Sequence, residues 1–143
     1  GQTKKFTCLV SMMGIFDLES MWGATEELWF ANWDLGGQPW NSELYNKYSP
    51  SNYVQNFATP TLIITGEKDY RVPYTQSIQY FNTLQSLGID SRLIIFKNEG
   101  HWPNNVKSMP LYYNSHLEWF HKYLGGDPAP YNSKELVKNN VFK

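Results

Sequence analysis

Two residues stand out for the chemistry that their positions allow, Asp69 and His101. Each follows a short apolar run. Thr61-Leu62-Ile63-Ile64-Thr65 is bounded by Pro60 and Gly66, and Asp69 comes just beyond that glycine. Arg92-Leu93-Ile94-Ile95-Phe96 leads into Lys97-Asn98-Glu99-Gly100-His101-Trp102. A carboxylate that accepts the Nδ1 proton of an imidazole fixes its tautomer and leaves Nε2 free as a general base. The pair would be two members of a triad, in the order acid then base. Alone, each has an ordinary reading: Asp is a common turn former, and His is a common polar surface residue. Their shared placement after consecutive apolar runs is what points to catalysis. The nucleophile is missing from the pattern. Hydrolase serines sit in Gly-x-Ser-x-Gly at a strand-to-helix elbow, and the 143 residues contain no such pentapeptide. Ser11 has no elbow glycine before it.

Elements must bring the two residues together. Residues 6–12 read as a short buried strand, broken by Gly14. The run 61–65 suits a strand buried on both faces, as in a parallel sheet. Pro73 opens a helix whose Tyr74, Ile78, Phe81 and Leu84 keep one face, with Gly88 placed to cap it. Residues 92–96 form the next strand. A last helix runs from about 109 to 124. Its Tyr113, Leu117, Phe120 and Leu124 share an apolar face, and Gly125-Gly126 stops it. Strand, helix, strand, helix is the α/β order. The intervening helix supplies the crossover that parallel strands require. Asp69 and His101 would then emerge at one carboxyl edge of the sheet, where ligands gather.

Between residues 16 and 48 lie Trp22, Trp29, Phe30, Trp33 and Trp40. Residues 25–31 look like a helix start, with Glu26 and Glu27 as first-turn acids. His116 and His121, on the last helix, read as surface residues. The single cysteine, Cys8, excludes an internal disulfide and reads as a small buried hydrophobe. The segment after Asp127 is polar and Pro-containing, and is expected to run extended over the surface.

Composition narrows the classes. The length is one domain's worth, or a piece of a larger domain. Twelve Lys+Arg against 13 Asp+Glu give a net charge of −1, without the basic footprint of a nucleic-acid binder. Hydrophobic residues at 41% are enough for a core and argue against disorder. No apolar run is long enough for a membrane span. No Cys/His cluster has zinc-ligand spacing, and no metal or cofactor is expected. The chain opens with Gly1, so the lack of a targeting segment says nothing about compartment.

The segment Thr59-Pro60-Thr61-Leu62-Ile63-Ile64-Thr65-Gly66-Glu67-Lys68-Asp69-Tyr70-Arg71-Val72-Pro73 resembles the catalytic-Asp segment of the prolyl oligopeptidase family of serine peptidases. Ser91-Arg92-Leu93-Ile94-Ile95-Phe96-Lys97-Asn98-Glu99-Gly100-His101-Trp102 is similar to that family's catalytic-His segment, and the Leu84–Ile89 turn between them also matches. Gly14-Ile15-Phe16-Asp17 and Thr25-Glu26-Glu27-Leu28-Trp29-Phe30 resemble the dipeptidyl-peptidase V and acylaminoacyl-peptidase branch. The resemblance covers roughly residues 6–124.

It implies an α/β fold: the C-terminal portion of an α/β-hydrolase, a mostly parallel sheet flanked by helices and incomplete as a fragment. Residues 1–126 would be that part of the catalytic domain and 127–143 a surface tail. By position, Asp69 would be the triad acid and His101 the general base. Val72 would line the S1 pocket and Arg71 would face the substrate backbone. Trp22, Trp29 and Trp33 would add aromatic wall, with plain core packing as their other reading. The implied activity is removal of dipeptides or acylated residues from peptide N-termini, this chain giving Asp and His but not Ser. An inactive hydrolase-like binding module and an esterase of the same fold are the alternatives. Implied partners are a peptide, the rest of the catalytic domain and a β-propeller, with a homodimer as an option. Relatives favour a secreted or periplasmic site over the cytoplasm. A sheet cut after its nucleophile strand would also leave an unpaired edge.

Overall fold

A computed structural model describes residues 1–138. In chain order the elements are β1 (Leu9–Met12), α1 (Leu18–Trp22), α2 (Leu28–Asp34), α3 (Leu44–Tyr48), β2 (Thr61–Gly66), α4 (Thr75–Ser86), β3 (Ser91–Phe96), α5 (Met109–Leu124) and α6 (Ser133–Lys138). Short 3-10 turns flank α3. The strands form one parallel sheet in the order β1-β2-β3. Every residue of β2 is buried. Its continuous apolar run is what a strand needs when neighbours flank it and both faces are covered. Leu62 pairs with Val10 on one side and Arg92 on the other. The crossover α4 ends at Gly88, whose φ of 69° is a conformation that glycine adopts without a side-chain clash.

Strand β1 is shorter than the apolar run suggested. Leu9 N donates to Pro60 O at 2.9 Å, and there the ladder stops. Pro60 has no N–H with which to continue it, so Phe6 stays exposed. Among the described residues, no strand pairs with the outer side of β1.

The core divides in two. Leu62, Ile64, Phe96 and Trp119 pack between the sheet and α5, with Val10 and Cys8 at the margin. Cys8 is half-buried, and burial pushes its thiol pKa up. Leu18, Met21, Ala31, Leu35 and Tyr45 join α1, α2 and α3. Helix α5 turns a different face inward from the one expected. Trp119 is buried, with Leu111, Tyr112 and Tyr123 against the same cluster, whereas Tyr113, Leu117, Phe120 and Leu124 are exposed. The helix carries two apolar stripes, and the three strands take the one centred on the largest ring. Among the described residues, no helix is long and apolar enough to cross a membrane.

The segment after Asp127 is not simply extended, because residues 133–138 form α6. A buried polar clasp holds it to α5. Asn114 Nδ2 donates to Tyr131 O and Ser133 Oγ, each at 2.9 Å, and its Oδ1 accepts from Tyr131 N at 3.0 Å. Glu118 Oε1 accepts from Ser133 N at 2.6 Å, and Oε2 pairs with Arg92 at 2.8 Å. Burial pushes the Glu118 carboxyl pKa up, but the Ser133 amide, the Arg92 guanidinium and the Ser133 hydroxyl outweigh burial and hold it below the ordinary range. A lowered carboxyl pKa contributes stability above the ordinary glutamate value, about 4.3, and loses it as pH falls through the lowered value. Amide protection factors of residues 131–138 are therefore expected to drop below about pH 4 before those of β2 do. Hydrogen exchange on a pH series checks this, and equal loss in both segments would refute it.

Candidate active site

Gly66 ends β2, and the next turn carries the acid. Asp69 N donates to Gly66 O at 3.2 Å, which folds the chain back under the strand end. The side chain is fully buried. Its Oδ1 accepts from Arg71 N at 3.1 Å and Val72 N at 2.9 Å, the local turn chemistry that Asp favours. Its Oδ2 accepts from His101 Nδ1 at 2.9 Å. An ionised carboxylate can only accept, so this contact places the ring proton on Nδ1. Among the described residues, no hydrogen bond is made to Nε2, which is left free for proton transfer. The His101 ring also meets Trp102 edge-on, with centroids 5.0 Å apart.

The two loops are zipped together by backbone. Glu67 N donates to Phe96 O, and Lys68 N donates to Glu99 O, both at 2.9 Å. The fit is close enough to require glycine at position 66. A Cβ there would lie 2.3 Å from both Glu99 O and Gly100 O. The α1–α2 connector braces the acid loop from the other side. Glu26 N donates to Tyr70 O at 2.8 Å, Thr25 Oγ1 donates to Arg71 O at 2.6 Å, and Glu27 Oε1 pairs with Arg71 Nε at 2.9 Å. Glu26 and Glu27 thus precede α2 and do not sit in its first turn, and Glu27 makes no side-chain cap bond. Their sequence looked like a helix start; their partner lies more than forty residues away.

A cavity of about 440 Å³ opens beside His101. Met13, Ile15, Met21, Phe30 and Val72 form its apolar wall, and Glu27 and Arg71 form a polar edge. Met13, at the end of β1, holds a left-handed φ of 47°, uncommon for a residue with a side chain. The backbone after it is fixed by buried Gln76 of α4, whose Oε1 accepts from Phe16 N at 3.0 Å and Asp17 N at 2.8 Å. Sequence reading missed Phe30, Gln76 and the Glu27–Arg71 pair. A Gln in the first turn of an amphipathic helix carries no signal until its partners are known.

The structure thus places His101, Arg71 and Val72 on one cavity, with Asp69 bonded to the His101 ring and to the backbone of Arg71 and Val72. It does not bring the three tryptophans there. Trp29 and Trp33 are 70% and 84% exposed on the outer face of α2. Trp22 packs against the α1–α3 cluster and donates from Nε1 to Asn32 Oδ1 at 2.8 Å. His116 is half-buried, with Nδ1 at 2.7 Å from Tyr112 O, and exposed His121 contacts Gly126 O. Among the described residues, no group of three or more His, Cys, Asp or Glu side chains is placed to hold a metal ion.

A parallel sheet flanked by helices, with the Asp69 and His101 loops at its carboxyl edge, and its likeness to a solved acylaminoacyl peptidase place the chain among the α/β-hydrolases. Within that class the chain belongs to the prolyl oligopeptidase family, whose sequence pattern matches residues 1–127. It is 36% identical over 126 residues to dipeptidyl-peptidase 5 of Porphyromonas gingivalis, covering 85% of this chain and 18% of that protein. Against dipeptidyl-peptidase 5 of Schizosaccharomyces pombe the identity is 39% over 121 residues, covering 84% and 18%. The solved acylaminoacyl peptidase of Pyrococcus horikoshii superposes with a TM-score of 0.79 at 26% identity, covering 95% of this chain and 23% of that one. The chain therefore spans about a fifth of the length of the curated relatives it matches.

Proposed function

We propose that this chain supplies the acid and the base of a serine peptidase that trims peptide N-termini. The nucleophilic serine would come from a stretch of polypeptide outside residues 1–143. The observation that carries the reading is the 2.9 Å contact between His101 Nδ1 and the fully buried carboxylate of Asp69. In the reaction, the serine hydroxyl attacks the scissile carbonyl while His101 Nε2 takes its proton. Asp69 stabilises the resulting imidazolium. His101 then returns the proton to the leaving amine, and water releases the acyl group by the same path.

The cavity beside His101 supports a substrate class. Val72, Phe30 and Met13 offer an apolar wall to the residue that precedes the scissile bond. The Arg71 guanidinium, oriented by Glu27, faces the peptide backbone from the polar edge. Phe30 takes the role of aromatic wall that Trp22, Trp29 and Trp33 would have had. The relatives' names point to dipeptides or acylated residues as the group removed. The outer edge of β1, unpaired among the described residues, would receive the rest of the catalytic domain, since a strand edge binds another strand readily.

The test uses the longer protein that carries this chain. Chromogenic dipeptidyl and N-acyl-aminoacyl substrates are compared with an apolar or a charged residue before the scissile bond. The apolar series is expected to exceed the charged series in kcat/KM by roughly 100-fold, the scale on which pockets discriminate. Equal rates would refute the pocket assignment. Absence of turnover on both substrate types would refute the peptidase reading.

A further inference from the structure

Glu99 is a buried ionisable group to which the triad mechanism gives no task. It is 2% exposed. Its Oε2 accepts from Asn104 N at 3.1 Å, and its Oε1 accepts from the Ser108 hydroxyl. Its backbone is equally engaged: Glu99 O accepts from Lys68 N, the neighbour of Asp69, and Glu99 N donates to Phe96 O at 3.3 Å. One residue, two positions before His101, is therefore bonded to the acid's loop by its main chain and to the far arm of the His101 loop by its side chain.

Two features argue that these bonds matter. A carboxylate taken out of water is costly unless its oxygens are satisfied, and here both are filled by neutral donors. Ser108 also stands at the N-cap of α5, where a serine hydroxyl ordinarily accepts from the helix, yet it makes no such bond. Its hydroxyl goes to Glu99 instead. The segment from β3 to α5 is long and has no regular structure of its own. Its first arm rests on Gly66, and its second arm, residues 104–108, is joined to the first through Glu99.

We propose that Glu99 is a positioning residue for His101: its buried carboxylate closes the loop on itself and holds the imidazole on Asp69 through hydrogen bonds, not through charge. The proposal rests on His101 being the general base. A Gln at position 99 keeps the brace, because its oxygen still accepts from the Asn104 amide and its NH₂ donates to the Ser108 hydroxyl. An Ala loses both bonds.

The experiment compares Glu99→Ala, Glu99→Gln, Ser108→Ala, Ser108→Thr and His101→Ala in the longer protein, assayed well below each variant's Tm. Glu99→Ala is expected to lower kcat roughly 10- to 100-fold, the loss that a displacement near 1 Å produces, with KM within about twofold. Glu99→Gln is expected to stay within about threefold of the parent in kcat, with an unchanged pH profile, because the brace and not the charge sets the geometry. Ser108→Ala removes one bond and should lose kcat partially, and Ser108→Thr, which keeps the hydroxyl, should restore it. If Glu99→Ala does not fold, the two Ser108 variants decide the question. An unchanged kcat in the alanine variants, with only Tm lowered, would overturn the proposal and leave Glu99 a stability residue. A Gln variant as slow as the Ala variant would overturn it in favour of charge. Full activity in His101→Ala would instead defeat the general-base reading itself, and the proposal with it.

Discussion

Replacing Asp69 by Asn in the longer protein should lower kcat on the order of 10⁴-fold while KM changes little. The geometry decides how the new side chain sits. Oδ1 of Asp69 faces two backbone N–H groups, from Arg71 and Val72, so the amide oxygen of Asn must take that place. The opposite flip would aim the NH₂ at those donors. The NH₂ then faces His101 Nδ1 and donates to it, which forces the ring proton onto Nε2. A protonated Nε2 in the neutral ring cannot accept the serine proton, so the base is lost although the fold is kept. His101→Ala removes the base outright and should cost more, on the order of 10⁶-fold. Steady-state kinetics checked against Tm separate these losses from unfolding. A variant Asp69→Asn within tenfold of the parent would contradict the assignment.

The second large effect is expected from one methyl group. Gly66→Ala places a Cβ 2.3 Å from Glu99 O and Gly100 O and 2.6 Å from Glu99 C. All three are backbone atoms, so no side-chain rotation relieves the clash. Either the His101 loop lifts from the end of β2, or β2 shifts in a sheet where each of its residues is buried. Overpacking of this kind costs about 1–3 kcal/mol and occasionally more. A lifted loop also separates His101 from Asp69, and a shift near 1 Å is worth roughly 100-fold in rate. Both losses should appear together: a lower denaturation midpoint, and a kcat still depressed well below the new Tm. A destabilised variant with full kcat would show that the loop has another way to accommodate the methyl.

These two positions were legible to different degrees. The contact between Asp69 and His101 could be read from sequence because each partner follows a strand whose apolar run is uninterrupted, and parallel neighbours align their carboxyl ends. Local spacing was enough. The face of α5 was not readable, because Tyr113, Leu117, Phe120 and Leu124 make as regular a stripe as the one around Trp119. Only the position of the sheet chooses between them. The tryptophans of the first half likewise gave a composition but no direction, and Phe30 turned out to be the ring at the cavity. Gln76 reaches Phe16 and Asp17 across about sixty residues, and Glu27 reaches Arg71 across more than forty. Such polar pairs lack periodicity, so nothing along the chain announces them. Helix α6 was missed for the same reason: its anchor is a polar clasp on Asn114 and Glu118, not an apolar face.

The most direct measurement looks for the nucleophile that the proposed triad requires. The longer protein is treated with a fluorophosphonate, digested, and the adduct located by mass spectrometry, alongside His101→Ala. The expected adduct is a single serine outside residues 1–143, within Gly-x-Ser-x-Gly, with labelling slowed at least about 1,000-fold by His101→Ala because the base that activates the serine is gone. An adduct on a residue of this chain, or labelling at the same rate without His101, would contradict the assignment of Asp69 and His101 as the acid and base of a serine peptidase.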